Sequence, residues 1–96
     1  MKYMKHVLQT SFQISILREG NRYIAYAPAL DFSTSGASYE EAKRRFAEGV
    51  QLFFEEIIKH GTLEEVLQEY GWRKMRFEWK PPIIISQESH EVKVPA

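Results

Sequence analysis

The chain contains no cysteine. That excludes disulfides, thiolate nucleophiles and cysteine-ligated zinc, and it fits a reducing compartment. An excess of charge is missing as well: 13 Lys and Arg balance 13 Asp and Glu. The molecule therefore lacks the global basic field that proteins living on nucleic acid usually carry. No stretch approaches the roughly 20 apolar residues of a membrane span. Near the N-terminus, Lys2, Lys5 and His6 interrupt any apolar run of signal-peptide length. A cytoplasmic protein with no membrane contact is expected. Internal repeats and low-complexity segments are absent.

What is present is a small globular chain. Its 96 residues are enough for one domain with a modest core. The hydrophobic fraction, 44%, is that of a folded protein. The aromatic share of 14% exceeds what one thin core needs, which points to rings at an oligomer interface.

From Phe12 the pattern alternates, with Phe12, Ile14 and Ile16 on one face of a strand. Glu19-Gly20-Asn21 reads as a hairpin turn. Arg22 to Ala27 returns as a second strand, apolar on both faces, so one face is expected to meet a helix and the other a partner. Pro28 ends regular pairing. A short polar strand around Phe32 leads to Gly36 and completes an antiparallel meander.

Ser38 and Glu41 form a capping box that opens a helix, and Gly61 closes it. Ala42, Phe46, Gly49, Val50, Phe53 and Ile57 fall on one stripe at about 100° per residue. Glu40–Arg44, Glu41–Arg45 and Glu55–Lys59 are expected as ion pairs on its wet side. Gly49, unfavourable within a helix, suggests the close approach of a strand or ring. Thr62 and Glu65 read as a second capping box, with Leu63, Val66, Leu67 and Tyr70 inward. Trp72 to Lys80 alternates like a strand, with Met75, Phe77 and Trp79 as its inner face. Ile83 to Ile85 reads as a further strand or a subunit contact, and Val92 and Val94 as a last short strand.

The expected class is therefore α+β: a three- to four-stranded antiparallel sheet with one long helix packed on one face. Residues 1–96 form a single domain in this reading, with a core at 12–80 and a C-terminal extension at 81–96 that is either an oligomer contact or part of the monomer's own core.

Tyr23-Ile24-Ala25-Tyr26-Ala27-Pro28-Ala29-Leu30, followed by Ser35-Gly36-Ala37-Ser38-Tyr39-Glu40-Glu41-Ala42, resembles the core motif of the HicB-like antitoxin family. Ala25, Pro28, Leu30, Gly36, Glu41 and Ala42 fill the motif's places, with Ser38 where the family often has Thr. The likeness runs from about Phe12 to Ile58. Asp31-Phe32-Ser33-Thr34 replaces a segment that in the family commonly resembles Pro-Gly-Cys. Nothing after Tyr70 matches the DNA-binding module that many members append. The resemblance implies a partial ribonuclease-H-like fold, a homo-oligomer (dimer or tetramer), and a small basic HicA-type ribonuclease toxin as partner. Some family members stand alone, with no toxin.

Residues with chemical potential each have a bland explanation. A ribonuclease-H-like fold directs attention to paired carboxylates for Mg²⁺, here Asp31, Glu40, Glu41 and Glu48. Glu40 and Glu41 suit the positive end of a helix, Glu48 lies on its wet side, and Asp31 is at home in a turn. His6, His60 and His90 lie far apart, without partners at ligand spacing. His60 suits a helix C-terminus. Arg73, Lys74, Arg76 and Lys80, with Trp72 and Trp79, have the composition of a single-stranded nucleic-acid binder. They equally describe a strand's solvated side over an apolar inner side, which is the preferred reading. No catalytic, cofactor-binding or metal-binding residue is assigned. The expected function is non-catalytic neutralisation of an mRNA-cleaving toxin, with a stand-alone regulatory or ligand-binding homo-oligomer as the alternative.

Overall fold

A tight turn at Gly20-Asn21 sets the register between the first two strands of the sheet. Gly20 adopts φ +64°, as the first central position of a two-residue hairpin of the II′ kind requires. The computed structural model of the chain describes residues 10–96. Met1 to Thr10, which has no clear period and reads as a short strand or a loose arm, falls almost wholly outside the described residues, as does His6.

Three strands follow in order: β1 (Ser15–Glu19), β2 (Arg22–Ala27) and β3 (Phe32–Gly36). They form an antiparallel sheet in the order β1-β2-β3. Ile16 lies opposite Ala25 and Ala25 opposite Thr34, so these three share a face. Helix α1 (Tyr39–Lys59) covers that face, and helix α2 (Leu63–Glu69) follows it. The α+β class, the meander and the long helix on one side agree with the sequence expectation.

Small side chains bring helix and sheet together. Ala25, Ala27 and Ala42 are fully buried and pack with Phe46. Gly49 completes this contact. A Cβ placed there would lie 2.7 Å from Cζ of Phe32, so the ring occupies the space that a side chain would need. The helix thus accepts glycine's cost in exchange for a ring seated directly on its backbone. Phe32 also stacks edge-on against Phe46 at 5.5 Å. The second half of the core gathers Ala29, Leu30, Ile57, Leu67 and Trp72. Phe12, Phe32 and Val50 touch both halves.

The polar expectations for the helices are met only in part. The Ser38 hydroxyl accepts from the Glu41 N–H at 3.0 Å, as a cap should. The Glu41 carboxylate reaches one residue further back than the usual box, accepting from the Ala37 N–H at 2.6 Å. Glu41 pairs with Arg45 at 3.8 Å and also with Arg44 at 3.9 Å. The expected Glu40–Arg44 and Glu55–Lys59 pairs do not form among the described residues; Glu55 accepts from Gln51 instead. Thr62 precedes α2 without a side-chain cap; its hydroxyl turns back to the carbonyl of Ile57. The second capping box is thus corrected: the tight link between the two helices claims the hydroxyl first.

Three strand expectations also need correction. The first strand starts at Ser15, not Phe12, because Phe12 leaves the sheet line to wedge between Phe46 and Trp72. Trp72 to Lys80 is no single strand. It is a small hairpin of β4 (Arg73–Met75) and β5 (Glu78–Lys80), turning at Arg76-Phe77. Lastly, Ile83–Ile85 and Val92–Val94 join no sheet, since residues 81–96 form no backbone–backbone hydrogen bonds among the described residues.

Candidate interaction surface

The turn between β2 and β3 is anchored in the core. Pro28 removes a donor, and Ala29 and Leu30 then point into the core, both 2% exposed. The indole Nε1–H of Trp72 donates to the Ala29 carbonyl at 2.7 Å in a buried hydrogen bond. The sequence places Trp72 in a basic-aromatic strand; in the fold it is the pin that ties the end of α2 to this turn. Only its pairing across 43 residues reveals that role. Nothing local in the sequence announces it.

Asp31 ends the turn at φ +48°. Its carboxylate accepts from the Tyr26 hydroxyl at 3.1 Å. That hydrogen bond, with lesser help from partial burial and the negative charge of Asp31, raises the Tyr26 pKa above its usual value. The local reading of Asp31 as a turn residue is thus sufficient. Glu40 and Glu48 are exposed on α1, and Glu41 is held at the helix start. The Ala37 N–H chiefly, then Arg45, Arg44 and Arg22, lower the Glu41 pKa against an opposing effect of partial burial.

His60 lies against its own helix end, Nδ1 2.9 Å from the Glu56 carbonyl and 3.3 Å from the Glu56 carboxylate. His90 is exposed in the tail. Among the described residues no three His, Asp or Glu side chains gather as a metal-binding group. Among them, too, no helix is long and apolar enough to cross a membrane.

The basic-aromatic segment differs from its preferred reading. Phe77 stands at the hairpin tip, 91% exposed, and Met75 is exposed too. Only Trp79 is half-buried, with the Lys74 ammonium over its ring at 5.9 Å. Lys74 pairs with Glu64 at 2.8 Å and Lys80 with Glu78 at 3.2 Å. The segment turns at Arg76, φ +54°, without the Asn-Gly or Asp-Gly signal that marks such turns. The hairpin breaks the expected inner face of Met75, Phe77 and Trp79: Trp79 lies opposite Lys74 and Met75 opposite Glu78, so Met75 and Trp79 point to opposite sides, and of the three only Trp79 packs on the core.

Part of the open surface is apolar. On the sheet face away from α1 lie Leu17, Ile24 and Tyr26, alternating with the inward residues. A shallow groove runs between this part of the sheet and the tail, lined by Ile14, Leu17, Tyr26, Pro28 and Ile84. The tail is fastened beside it: the Ile84 N–H donates to the Gln13 side chain, and Gln87 donates to the Ser15 hydroxyl. The outer face was legible in the sequence as the second apolar side of β2; its continuation into the tail was not. No protein-family model, curated protein or solved structure matches the chain.

Proposed function

We propose that this chain is a non-catalytic, cytoplasmic binding protein of the HicB antitoxin type, which neutralises a small HicA-type mRNA-cleaving toxin. The observation that carries this reading is the open sheet face. Leu17, Ile24 and Tyr26 form an apolar strip that α1 leaves uncovered, beside a groove walled by the tail. Apolar patches rimmed by polar residues suit the docking of another macromolecule. Ser33 and Ser35, paired with Tyr26 and Ile24, supply part of such a rim. Inhibition is steric and electrostatic: the docked face occupies the surface on which the toxin would hold RNA.

The test uses the full chain as bait in cells that encode it. The expected catch is a small basic protein that cleaves mRNA when isolated and stops when the chain is added. Leu17→Asp together with Ile24→Asp is expected to abolish that protection while leaving the fold, read by circular dichroism, intact. Recovery of no such nuclease, or protection unchanged by the double substitution, removes the proposal.

The second reading is a stand-alone homo-oligomer with a regulatory or ligand-binding role. The observation favouring it is the uncovered apolar tail. A neighbouring reading frame encoding a short basic protein separates the first reading from the second.

A further inference from the structure

The β4–β5 hairpin has one side built into the fold and another that is open to solvent. Residues opposite one another in an antiparallel pair share a face. Lys74 and Trp79 are such a pair, and they face the body: Trp79 packs on the core, and Lys74 reaches Glu64. Arg73 with Lys80, and Met75 with Glu78, share the other face, and all four are exposed. Arg76 and Phe77 stand at the tip, with the Phe77 ring almost wholly in water.

The side chains of this outer side do little for stability. From Arg73 to Lys80 four basic residues stand against one acidic residue, Glu78. Lys80 neutralises Glu78 at 3.2 Å. Arg73 and Arg76 form no ion pair among the described residues. Arg76 also holds φ +54°, a conformation that costs any residue with a Cβ and that glycine adopts freely. What an arginine adds at that position is charge, and what Phe77 adds beside it is an open ring. Strained backbone of this kind clusters where a ligand is held.

We infer that the tip and outer face of this hairpin bind single-stranded nucleic acid without sequence preference. Phe77 offers a ring on which one base stacks, and Arg73 and Arg76 hold neighbouring phosphates. A duplex fits less well, because its bases are stacked on one another and present only their edges. A lipid surface fits less well too. Trp79 is held on the core, which leaves Phe77 and Met75 as the open apolar groups of the hairpin, whereas an interfacial segment buries a whole apolar face. The chain as a whole has no net charge, so the attraction is local to the hairpin and sensitive to salt. The inference uses no residue of the open sheet face and holds whether or not a toxin exists.

The test is fluorescence anisotropy of the full chain with a labelled RNA strand of mixed sequence, about 12 nucleotides long. At about 50 mM salt the strand is expected to bind, and the matching duplex about tenfold less tightly or worse. Phe77→Ala is expected to weaken binding by about tenfold or more, and Phe77→Trp, which keeps a stacking ring, to preserve it. Arg76→Gly is expected to weaken binding and to reduce the slope of log K against log salt by about 0.7, with a melting temperature no lower than the native chain's. Arg18→Ala, which removes an exposed charge on β1, is expected to change little. No binding at low salt overturns the inference, as does binding indifferent to Phe77→Ala or weakened as much by Arg18→Ala as by Arg76→Gly. Equal affinity for the duplex overturns it, and so does recruitment to phosphatidylserine vesicles in place of the strand. Where Phe77→Ala disturbs folding, read by circular dichroism, Arg76→Gly decides: an unchanged salt slope overturns the inference.

Discussion

The sheet–helix body from Ser15 to Lys59 and the segment from Arg73 to Ala96 contain similar materials arranged to opposite effect. Both alternate apolar with polar residues, and both carry aromatic rings. In the body, each inward residue meets a partner: Ala25 meets Ala42 and Phe46, and Phe32 seats on Gly49. Beyond Trp72 the turn at Arg76-Phe77 breaks the period; Trp79 still packs on the core, but Phe77 and Ile85 are left in water. Periodicity fixes which way a side chain points only while the element runs on unbroken. It does not fix whether anything is there to receive it. Trp72 is the last residue of the chain whose side chain is fully in the core, and it marks the border between the two regions.

The largest expected effect tests that border. Trp72→Ala removes a buried ring and leaves the Ala29 carbonyl without its donor. The cost is expected to be about 3–5 kcal/mol in urea unfolding, a large share of the stability of a domain this small. Its counterpart five residues on, Phe77→Ala, is expected to fall within about 0.5 kcal/mol, because the ring is exposed. Equal costs for the two would mean that the hairpin tip is packed, and the contrast between the regions would fail.

The same contrast explains what could be read without coordinates. The meander, the helix and its stripe were legible because local rules agreed with one another there. Gly20 turns, Ser38 caps, and Ala42, Phe46 and Ile57 recur at helical spacing and are buried. Gly49 was readable as a site of close approach, although the identity of Phe32 as the visitor was not. The β4–β5 turn was illegible because Arg76 adopts a positive φ without a glycine or asparagine to announce it. The strands expected at Ile83 and Val92 failed for another reason: a strand needs an edge to pair with, and the pattern of a segment does not say whether one lies beside it. Of the candidate surface, the outer face of β2 was visible as a second apolar side. The role of Trp72 was not, since its partner lies 43 residues away.

Gly49→Ala sharpens the comparison within the body. The substitution should gain about 1 kcal/mol of helix propensity. The added methyl, however, would sit 2.7 Å from Phe32 Cζ, and Phe32 is itself held by Phe46 and Phe53. Overpacking of this kind typically costs about 1–3 kcal/mol. A net loss of up to about 2 kcal/mol in thermal or urea unfolding is expected. A more stable variant would show that the Phe32 ring yields freely, and that the body is packed no more firmly than the tail.

The smallest expected effect lies at the start of α1. Glu41 accepts from the Ala37 N–H and faces Arg45, Arg44 and Arg22, which together hold its carboxyl below the usual range in the folded chain. A carboxyl depressed on folding stabilises the protein above its unfolded pKa, and that contribution fades as pH falls through the lower, folded value. The native chain should therefore lose melting temperature on acidification from about pH 5 towards pH 3. Glu41→Gln keeps an acceptor for the Ala37 N–H but removes the charge and the titration. It should melt slightly lower than the native chain at neutral pH, and the gap should close as the pH drops. The group is open to solvent, so the difference is small and should shrink further in high salt. A gap that persists unchanged at pH 3 would assign the contribution of Glu41 to shape and hydrogen bonding, and the arginines around it would then be bystanders on a wet surface.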